Sequence, residues 1–112
     1  MRKLVLAAGL LAALPTVASA QDAEAGKAVF KKCLACHAVG ADAKNKVGPQ
    51  LNGIVGRKAG TAEGFNYSDA MKNSGKTWDE ATLDGYLADP KGFIPGNKMV
   101  FVGVKDEKDR KD

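Results

Sequence analysis

The stretch Cys33-Leu34-Ala35-Cys36-His37 decides what kind of fold this sequence can form. Two cysteines separated by two residues, with a histidine directly after the second, are typical of c-type haem attachment. The two thiols can add across the vinyl groups of the porphyrin, and the neighbouring His37 is then held against the iron. Because the haem is tethered, the histidine acts as an intramolecular ligand at a high effective concentration. The motif therefore predicts one covalently bound haem c, attached through Cys33 and Cys36.

Other roles of a Cys-x-x-Cys pair fit the surrounding sequence less well. A disulfide oxidoreductase has a strand before the motif, whereas the residues before Cys33 have helical periodicity. A zinc site needs about four ligands, and the chain holds only two cysteines and one histidine. A disulfide between Cys33 and Cys36 would close a very short loop and stabilise little. A haem-free dithiol protein is the remaining alternative.

The single histidine restricts the second axial ligand of the iron. Bis-histidine ligation is excluded, which leaves Met, Lys, Asn, water or no ligand. Met71 lies in a polar turn, which favours a partly buried surface position, whereas Met99 follows a Pro-Gly turn and begins an apolar run. We therefore predict His37 and Met99 as the two metal ligands. This pair raises the haem potential and leaves no open position for a substrate, so no catalytic residues are predicted.

Residues 1–20 have the features of a cleavable signal peptide. Arg2 and Lys3 are followed by an apolar run from Leu4 to Leu14, and Ala18-Ser19-Ala20 is a signal-peptidase pattern, so we expect cleavage before Gln21. A membrane anchor or a buried helix is the alternative, but a span needs about 20 apolar residues. Since c-type haem is attached outside the bacterial cytoplasm, we expect residues 21–112 to be periplasmic.

The charge balance argues against a nucleic-acid partner. Arg2 and Lys3 are two of the 17 basic residues, so 15 remain after cleavage against 13 acidic residues. Nucleic-acid-binding domains usually have a pI well above 9 and clustered basic residues. Aromatic residues make up only 6% of this short chain, and chains of this size bury a modest fraction of their surface. A haem would supply the missing apolar core.

The hydrophobic pattern predicts an all-α fold of short helices and long loops. We expect a helix from Asp22 to Ala35 and one helical turn from Ser68 to Lys72, capped by Ser68. A third helix is predicted to begin at Thr77, which forms a capping box with Glu80, and to end near Asp89, because a proline follows. A loop as long as that from Ala41 to Tyr67 needs a function, and wrapping a cofactor edge would be one.

Taken together, these motifs resemble those of class I c-type cytochromes, above all the short bacterial cytochromes c2 and mitochondrial cytochrome c. The similarity covers nearly all of residues 21–110 and rests, beside the haem-attachment motif, on residues 47–51, 56–60, 64–68, 77–78, 83–87 and 95–101. It implies a small cytochrome c fold over residues 21–112, wrapped around one haem. Members of this family end with an amphipathic helix packed across the first helix. The resemblance implies that this terminal helix is missing, because the sequence ends at Lys111-Asp112, where it would begin.

The resemblance further implies how the haem is bound. The Pro49 carbonyl would accept the His37 ring N–H and so fix its tautomer. Three residues with side-chain donors would reach the buried propionate: Arg57, Tyr67 and Trp78.

Three more residues would support the iron ligand or the haem edge. Tyr86 would approach the Met99 sulfur, and Asn97, where threonine or serine is common, would support the ligand loop through its amide. Phe101 would cover the exposed edge of the haem.

Six lysines match positions that ring the haem edge in such cytochromes: Lys27, Lys32, Lys46, Lys91, Lys98 and Lys105. A basic ring would steer the protein towards acidic docking sites and raise the association rate; the alternative is an ordinary solvated surface. The resemblance implies a soluble, monomeric electron carrier without enzymatic activity or stable membrane insertion. It would dock transiently to membrane redox complexes, with a bc1-type complex as donor and a terminal oxidase or photosynthetic reaction centre as acceptor. The rival function is a weak haem peroxidase that works when Met99 leaves the iron.

Overall fold

A computed structural model of the chain describes residues 21–112; the signal peptide predicted at residues 1–20 lies outside the described residues. The described part contains five short helices, which are α1 (Ala23–Phe30), α2 (Asp69–Lys72), α3 (Glu80–Ala88), α4 (Pro90–Phe93) and α5 (Glu107–Lys111). Its β pairing is limited to one isolated antiparallel bridge between Lys58 and Thr77. The predicted all-α class is therefore confirmed. Within residues 21–112, no helix has the length and apolar character needed to cross a membrane.

Helix α1 is shorter than the sequence predicts. Asp22 caps it by accepting from the backbone N–H groups of Glu24 and Ala25, but the helix ends at Phe30, not at Ala35. From there the chain continues in tighter turns, in which the Cys33 N–H donates to the Phe30 carbonyl at 2.8 Å. Helices often end in such i to i+3 turns. The haem-attachment motif thus lies on a turn that extends directly from α1.

The cap of α3 differs from the prediction, whereas the cap of α2 agrees with it. Ser68 caps α2 and accepts from the Met71 N–H, as predicted. The predicted capping box of Thr77 and Glu80 is wrong. Asp79 and Thr82 form the box instead, with the Thr82 N–H donating to Asp79 Oδ1 at 2.7 Å, because Thr77 is extended in the bridge with Lys58. The hydrogen bond from the Thr82 hydroxyl lowers the pKa of Asp79, so the cap keeps its charge well into the acid range.

An extended segment after Met99 closes the C-terminal end of α3. The Val104 N–H donates to the Leu87 carbonyl at 2.7 Å, and Lys105 Nζ donates to the Ala88 carbonyl at 2.7 Å. Gly103 has φ +110°, and a Cβ there would collide with the Ala88 backbone. The last carbonyls of α3, which have no partner within a helix, are thereby satisfied, and the chain that carries Met99 is fixed against α3.

Helix α5 packs against both α1 and α3. It is capped by Asp106 and begins at Glu107, several residues before the position expected for a terminal helix. A Cβ on Gly26 of α1 would collide with the Asp112 carbonyl, so the two helices cross closely at this glycine. Arg110 fixes α5 to α3 by donating to Asp84 Oδ1 at 2.8 Å.

The protein core is small and lies beside α3. Ala59, Trp78, Tyr86 and Ile94 form its buried cluster, in which the rings of Trp78 and Tyr86 have centroids 4.9 Å apart. Both aromatic residues also line a large cavity. The core is therefore built around one side of a space that protein side chains leave open.

Candidate cofactor site

The cavity has a volume of about 490 Å³ and brings the predicted ligands together. Both thiols and both predicted axial ligands line it: Cys33, Cys36, His37 and Met99. Six of the other seven residues predicted at the site also line it: Pro49, Arg57, Tyr67, Trp78, Tyr86 and Phe101. Asn97 does not line the cavity, but it is buried directly behind the Met99 loop.

The His37 ring is fixed in one tautomer. Its Nδ1 lies 2.7 Å from the Pro49 carbonyl oxygen. A carbonyl can only accept a hydrogen bond, so Nδ1 carries the hydrogen and Nε2 is left as the basic nitrogen. This is the form of imidazole that binds a metal, and the carbonyl behind it orients the ring.

Gly48 provides the space for this ring, a role that the sequence did not predict. Gly48 is buried, and a Cβ there would lie 2.8 Å from both ring nitrogens of His37. Its N–H donates to the Cys36 carbonyl at 2.8 Å, and its carbonyl accepts from the Lys46 N–H at 2.8 Å. The only local signal was the Gly-Pro pair, which reads equally well as an ordinary turn.

The two cysteines are free thiols, half-buried in the wall of the cavity. Burial raises the pKa of Cys33, and the nearby Lys32 charge only partly opposes this effect. Because neither sulfur is in a disulfide, both thiols are available to form thioether bonds. Among residues 21–112, no three His, Cys, Asp or Glu side chains are placed to hold a metal ion together.

Met99 is held at two points, its side-chain sulfur and its backbone N–H. The Tyr86 hydroxyl donates to Met99 Sδ at 3.7 Å, and burial raises the pKa of Tyr86 to about 12, so the phenol keeps its proton. The Met99 N–H donates to Asn97 Oδ1 at 2.9 Å. The sulfur and the backbone of this residue are therefore both positioned by buried groups.

Met71 lies closer to the cavity than the sequence predicts. It is half-buried, packs against the same core cluster as Met99 and lines the cavity. The Ser68 cap turns α2 inwards, and Gly60 lets the chain approach, since a Cβ there would lie 2.9 Å from Lys72 Cα. Two thioethers thus border the cavity, and burial alone does not choose between them.

Three side chains at the cavity wall can bind a carboxylate such as a haem propionate. Arg57 donates to the carbonyls of Asn52 and Gln50 at 3.1 and 2.9 Å, yet forms no ion pair within the described part of the chain. The Tyr67 hydroxyl accepts from the Ala62 N–H at 2.9 Å, so its own hydrogen stays free to donate. Trp78 borders the cavity without a hydrogen bond from its indole N–H to any group of residues 21–112. The cavity wall therefore offers a positive charge and two donors to an anionic group.

The mouth of the cavity combines exposed valines with lysines. Val47 and Val100 are 78% and 98% exposed, and Lys32 and Lys98 lie beside them at the cavity. Within residues 21–112, neither of these two lysines makes a side-chain hydrogen bond or ion pair. An apolar centre flanked by free cationic groups is a surface that suits an acidic partner.

The other four lysines predicted at the haem edge have partners within the chain. Lys27 pairs with Glu24 at 3.4 Å on the surface of α1. Three donate to backbone carbonyls: Lys46 to Leu34, Lys91 to Asn97 and Lys105 to Ala88. The contacts of Lys46 and Lys105 join residues 12 and 17 positions apart, so no local pattern could have predicted them.

The residues present fit a haem c. Two thiols, an imidazole with a free Nε2 and a thioether are the donors that covalent attachment and axial ligation need. The cavity wall is largely apolar, as suits a porphyrin, and its three polar donors suit propionates.

Comparison with known proteins agrees with this reading. Residues 23–112 match the cytochrome c family. The chain is 61% identical over 107 residues to a cytochrome c2 from Blastochloris viridis, which covers 96% of this chain and 84% of the relative. Among solved structures, it is similar to cytochrome cH from Methylobacterium extorquens, with a TM-score of 0.75 and 53% identity over 80% of this chain and 89% of that one. Cytochrome c2 from Rhodospirillum centenum gives a TM-score of 0.78 and 44% identity over 81% and 91%.

Proposed function

Because this chain belongs to the cytochrome c family and carries one covalently bound haem c, we propose that it is a single-electron carrier with His37 and Met99 as iron ligands. The observation that carries the proposal is the single cavity that unites both thiols, His37 and Met99. When bound, the haem supplies a reversible exchange of one electron at its iron. With His37 and Met99 holding the iron, the chain would itself fill the positions that a substrate could take, which favours a carrier over an enzyme.

The residues around the cavity keep the ligands in the same place in both redox states. Pro49 fixes the tautomer and direction of His37. Tyr86 and Asn97 hold the sulfur and the backbone of Met99. Iron ligands that do not move when the charge of the iron changes keep the reorganisation energy of electron transfer low. The fixed groups around these ligands provide that rigidity.

The proposal is tested by a potentiometric titration of the purified holoprotein. We expect a single reversible transition that fits one electron, and haem staining that survives denaturing electrophoresis. The matched control replaces both cysteines, in the variant Cys33→Ala/Cys36→Ala, and should lose the stain. Catalytic turnover of a substrate without a reversible one-electron transition of the haem would contradict a carrier function. A chain that never carries stainable haem would contradict it as well.

We also propose that the carrier acts in the periplasm, between a bc1-type donor and an oxidase or reaction-centre acceptor. The predicted signal peptide supports the location, and the lysines and valines at the cavity mouth support transient docking on an acidic surface. Relatives named cytochrome c2 are consistent with this role.

Charge reversal at the cavity mouth should slow electron transfer to an acidic partner more than the same reversal elsewhere. Lys32→Glu and Lys98→Glu are expected to lower the second-order rate several-fold at low salt, and the difference should shrink as salt screens it over about 8 Å. Lys76→Glu is the control, since Lys76 Nζ lies 4.4 Å above the Phe93 ring and does not border the cavity. If all three variants slow electron transfer equally, net charge alone explains the effect and the proposed docking face at the cavity mouth is refuted.

A further inference from the structure

We infer that Lys91 is a positioning residue for Met99, acting through Asn97. The inference rests on the proposed ligation by His37 and Met99. It separates Lys91 from the lysines of the cavity mouth, with which the sequence had grouped it.

Lys91 projects from a firmly anchored helix. It belongs to α4, which begins at the fully buried Pro90 and is capped by Asp89, whose side chain accepts from the Gly92 N–H at 3.2 Å. Lys91 Nζ donates to the backbone carbonyl of Asn97 and lies 3.4 Å from Asn97 Oδ1. Its ammonium group therefore reaches back over the loop and contacts the same residue at two atoms.

Asn97 is the junction through which this contact reaches Met99. Its amide nitrogen donates to the carbonyls of Pro90 and Ile94 at 2.7 and 2.9 Å. Its Oδ1 accepts from both the Met99 N–H and Lys91 Nζ. Every polar atom of this buried side chain is thus in use, and a neighbouring positive charge strengthens such a network by polarising it.

The contact between Lys91 and Asn97 affects how easily Met99 leaves the haem iron. A shift of the Met99 loop backbone would carry the thioether away from the iron, and that backbone is tied to α4 through Asn97 and Lys91. Loss of the Lys91 ammonium removes one of these ties and leaves the Asn97 carbonyl without its charged donor. The equilibrium for release of Met99 should then move towards the open loop.

The chain offers two matched controls. Lys98 is adjacent to Met99 but makes no side-chain hydrogen bond within residues 21–112, so Lys98→Gln removes a nearby charge alone. Lys46 donates to the Leu34 carbonyl at 2.8 Å, so Lys46→Gln removes a charge and a carbonyl contact away from the loop. Neither variant should loosen Met99 if the Lys91 contact is specific.

The test uses imidazole as a probe of the oxidised holoprotein, because imidazole can bind only where Met99 has moved away. We expect Lys91→Gln to raise the imidazole affinity roughly tenfold, which is about 1.4 kcal/mol, with Lys98→Gln and Lys46→Gln within about twofold of the parent. Lys91→Gln and Lys46→Gln should lower the melting midpoint to similar extents, since each loses a charged hydrogen bond to a backbone carbonyl and Lys91 loses only a long 3.4 Å contact to Asn97 Oδ1 in addition. A difference in imidazole affinity then reports the loop and not general stability.

Met99→Ala distinguishes failure of this inference from failure of the proposed ligation. If Met99→Ala binds imidazole more tightly than the parent but Lys91→Gln does not, or if all three lysine variants bind it equally, the positioning role is refuted and the ligation stands. If Met99→Ala binds imidazole no more tightly than the parent, Met99 is not the ligand, and the proposed ligation fails together with the inference.

Discussion

Replacing Gly48 with alanine is expected to displace His37 and to lower the free energy of unfolding by about 2–3 kcal/mol, as overpacking does in tight interiors. The new Cβ would lie 2.8 Å from both ring nitrogens, which is well inside van der Waals contact. The φ angle of Gly48 is not in the left-handed region, so the backbone itself tolerates alanine. The penalty is therefore a collision with the ring and not backbone strain.

Neither partner in this collision can easily yield. The His37 ring is held by the Pro49 carbonyl at 2.7 Å, and both backbone polar groups of Gly48 are hydrogen-bonded. We expect Gly48→Ala to lose the spectrum of a six-coordinate haem and to unfold at lower denaturant. Val47→Ala is the control in the same loop, because Val47 is largely exposed and its truncation should be nearly silent. A six-coordinate spectrum and parental stability in Gly48→Ala would show that the ring has room that the structure does not contain.

Replacing Asn97 with leucine is expected to cost about 3–5 kcal/mol of stability and to weaken Met99 ligation. Leucine has a similar shape but removes the two hydrogen bonds that the Asn97 amide donates to the carbonyls of Pro90 and Ile94, and it leaves the N–H of Met99 without a partner. Both carbonyls keep one backbone donor. Each lost hydrogen bond costs about 0.5–1.5 kcal/mol, and a buried polar group without any partner costs about 1–3 kcal/mol. Since small domains have only about 5–15 kcal/mol in total, chemical denaturation should detect the loss clearly.

Asn66→Leu is the matched control for this substitution. Asn66 is exposed, and its side chain makes no hydrogen bond within the described residues, so a change of about 0.5 kcal/mol or less is expected. The Met–iron absorption band should weaken in Asn97→Leu and persist in Asn66→Leu. If the two variants are equally stable, Asn97 is not the junction described above.

The covalent attachment of one haem could be predicted from the sequence because the chemistry of the attachment motif leaves few choices. One histidine, placed next to two correctly spaced cysteines, admits one reading of the motif. The roles of Pro49, Tyr86 and Asn97 came from the resemblance to class I cytochromes, and the structure places all three in contact with the ligands to which they were assigned. What these contacts do to the iron stays a proposal.

The ends of the helices were harder to predict, because local patterns compete. Thr77 with Glu80 matches the sequence rule for a capping box, whereas Asp79 with Thr82 forms the box without the Glu or Gln that the rule requires. The choice is made by a distant contact, the bridge that keeps Thr77 extended against Lys58. The end of α1 at Phe30 is likewise set by the tight turns that follow it, and helical periodicity does not distinguish those turns from a continuing helix.

The contacts that single side chains make with other loops were not predictable. Lys91 was grouped with the docking lysines because it is charged and matches the haem-edge positions, but its ammonium binds the Asn97 carbonyl. Met71 was expected at the surface because its neighbours are polar, but the close approach of Gly60 turns it towards the cavity. Both outcomes depend on how loops meet in three dimensions, which local sequence does not record.

The central claim, ligation of the haem iron by His37 and Met99, is tested most directly by the weak Met–iron charge-transfer band of the oxidised protein. The measurement compares the parent with Met99→Ala and Met71→Ala, and it is a strict test because both thioethers line the cavity. We expect the band in the parent and in Met71→Ala, and its complete loss in Met99→Ala. A band that survives Met99→Ala and disappears in Met71→Ala would contradict the account.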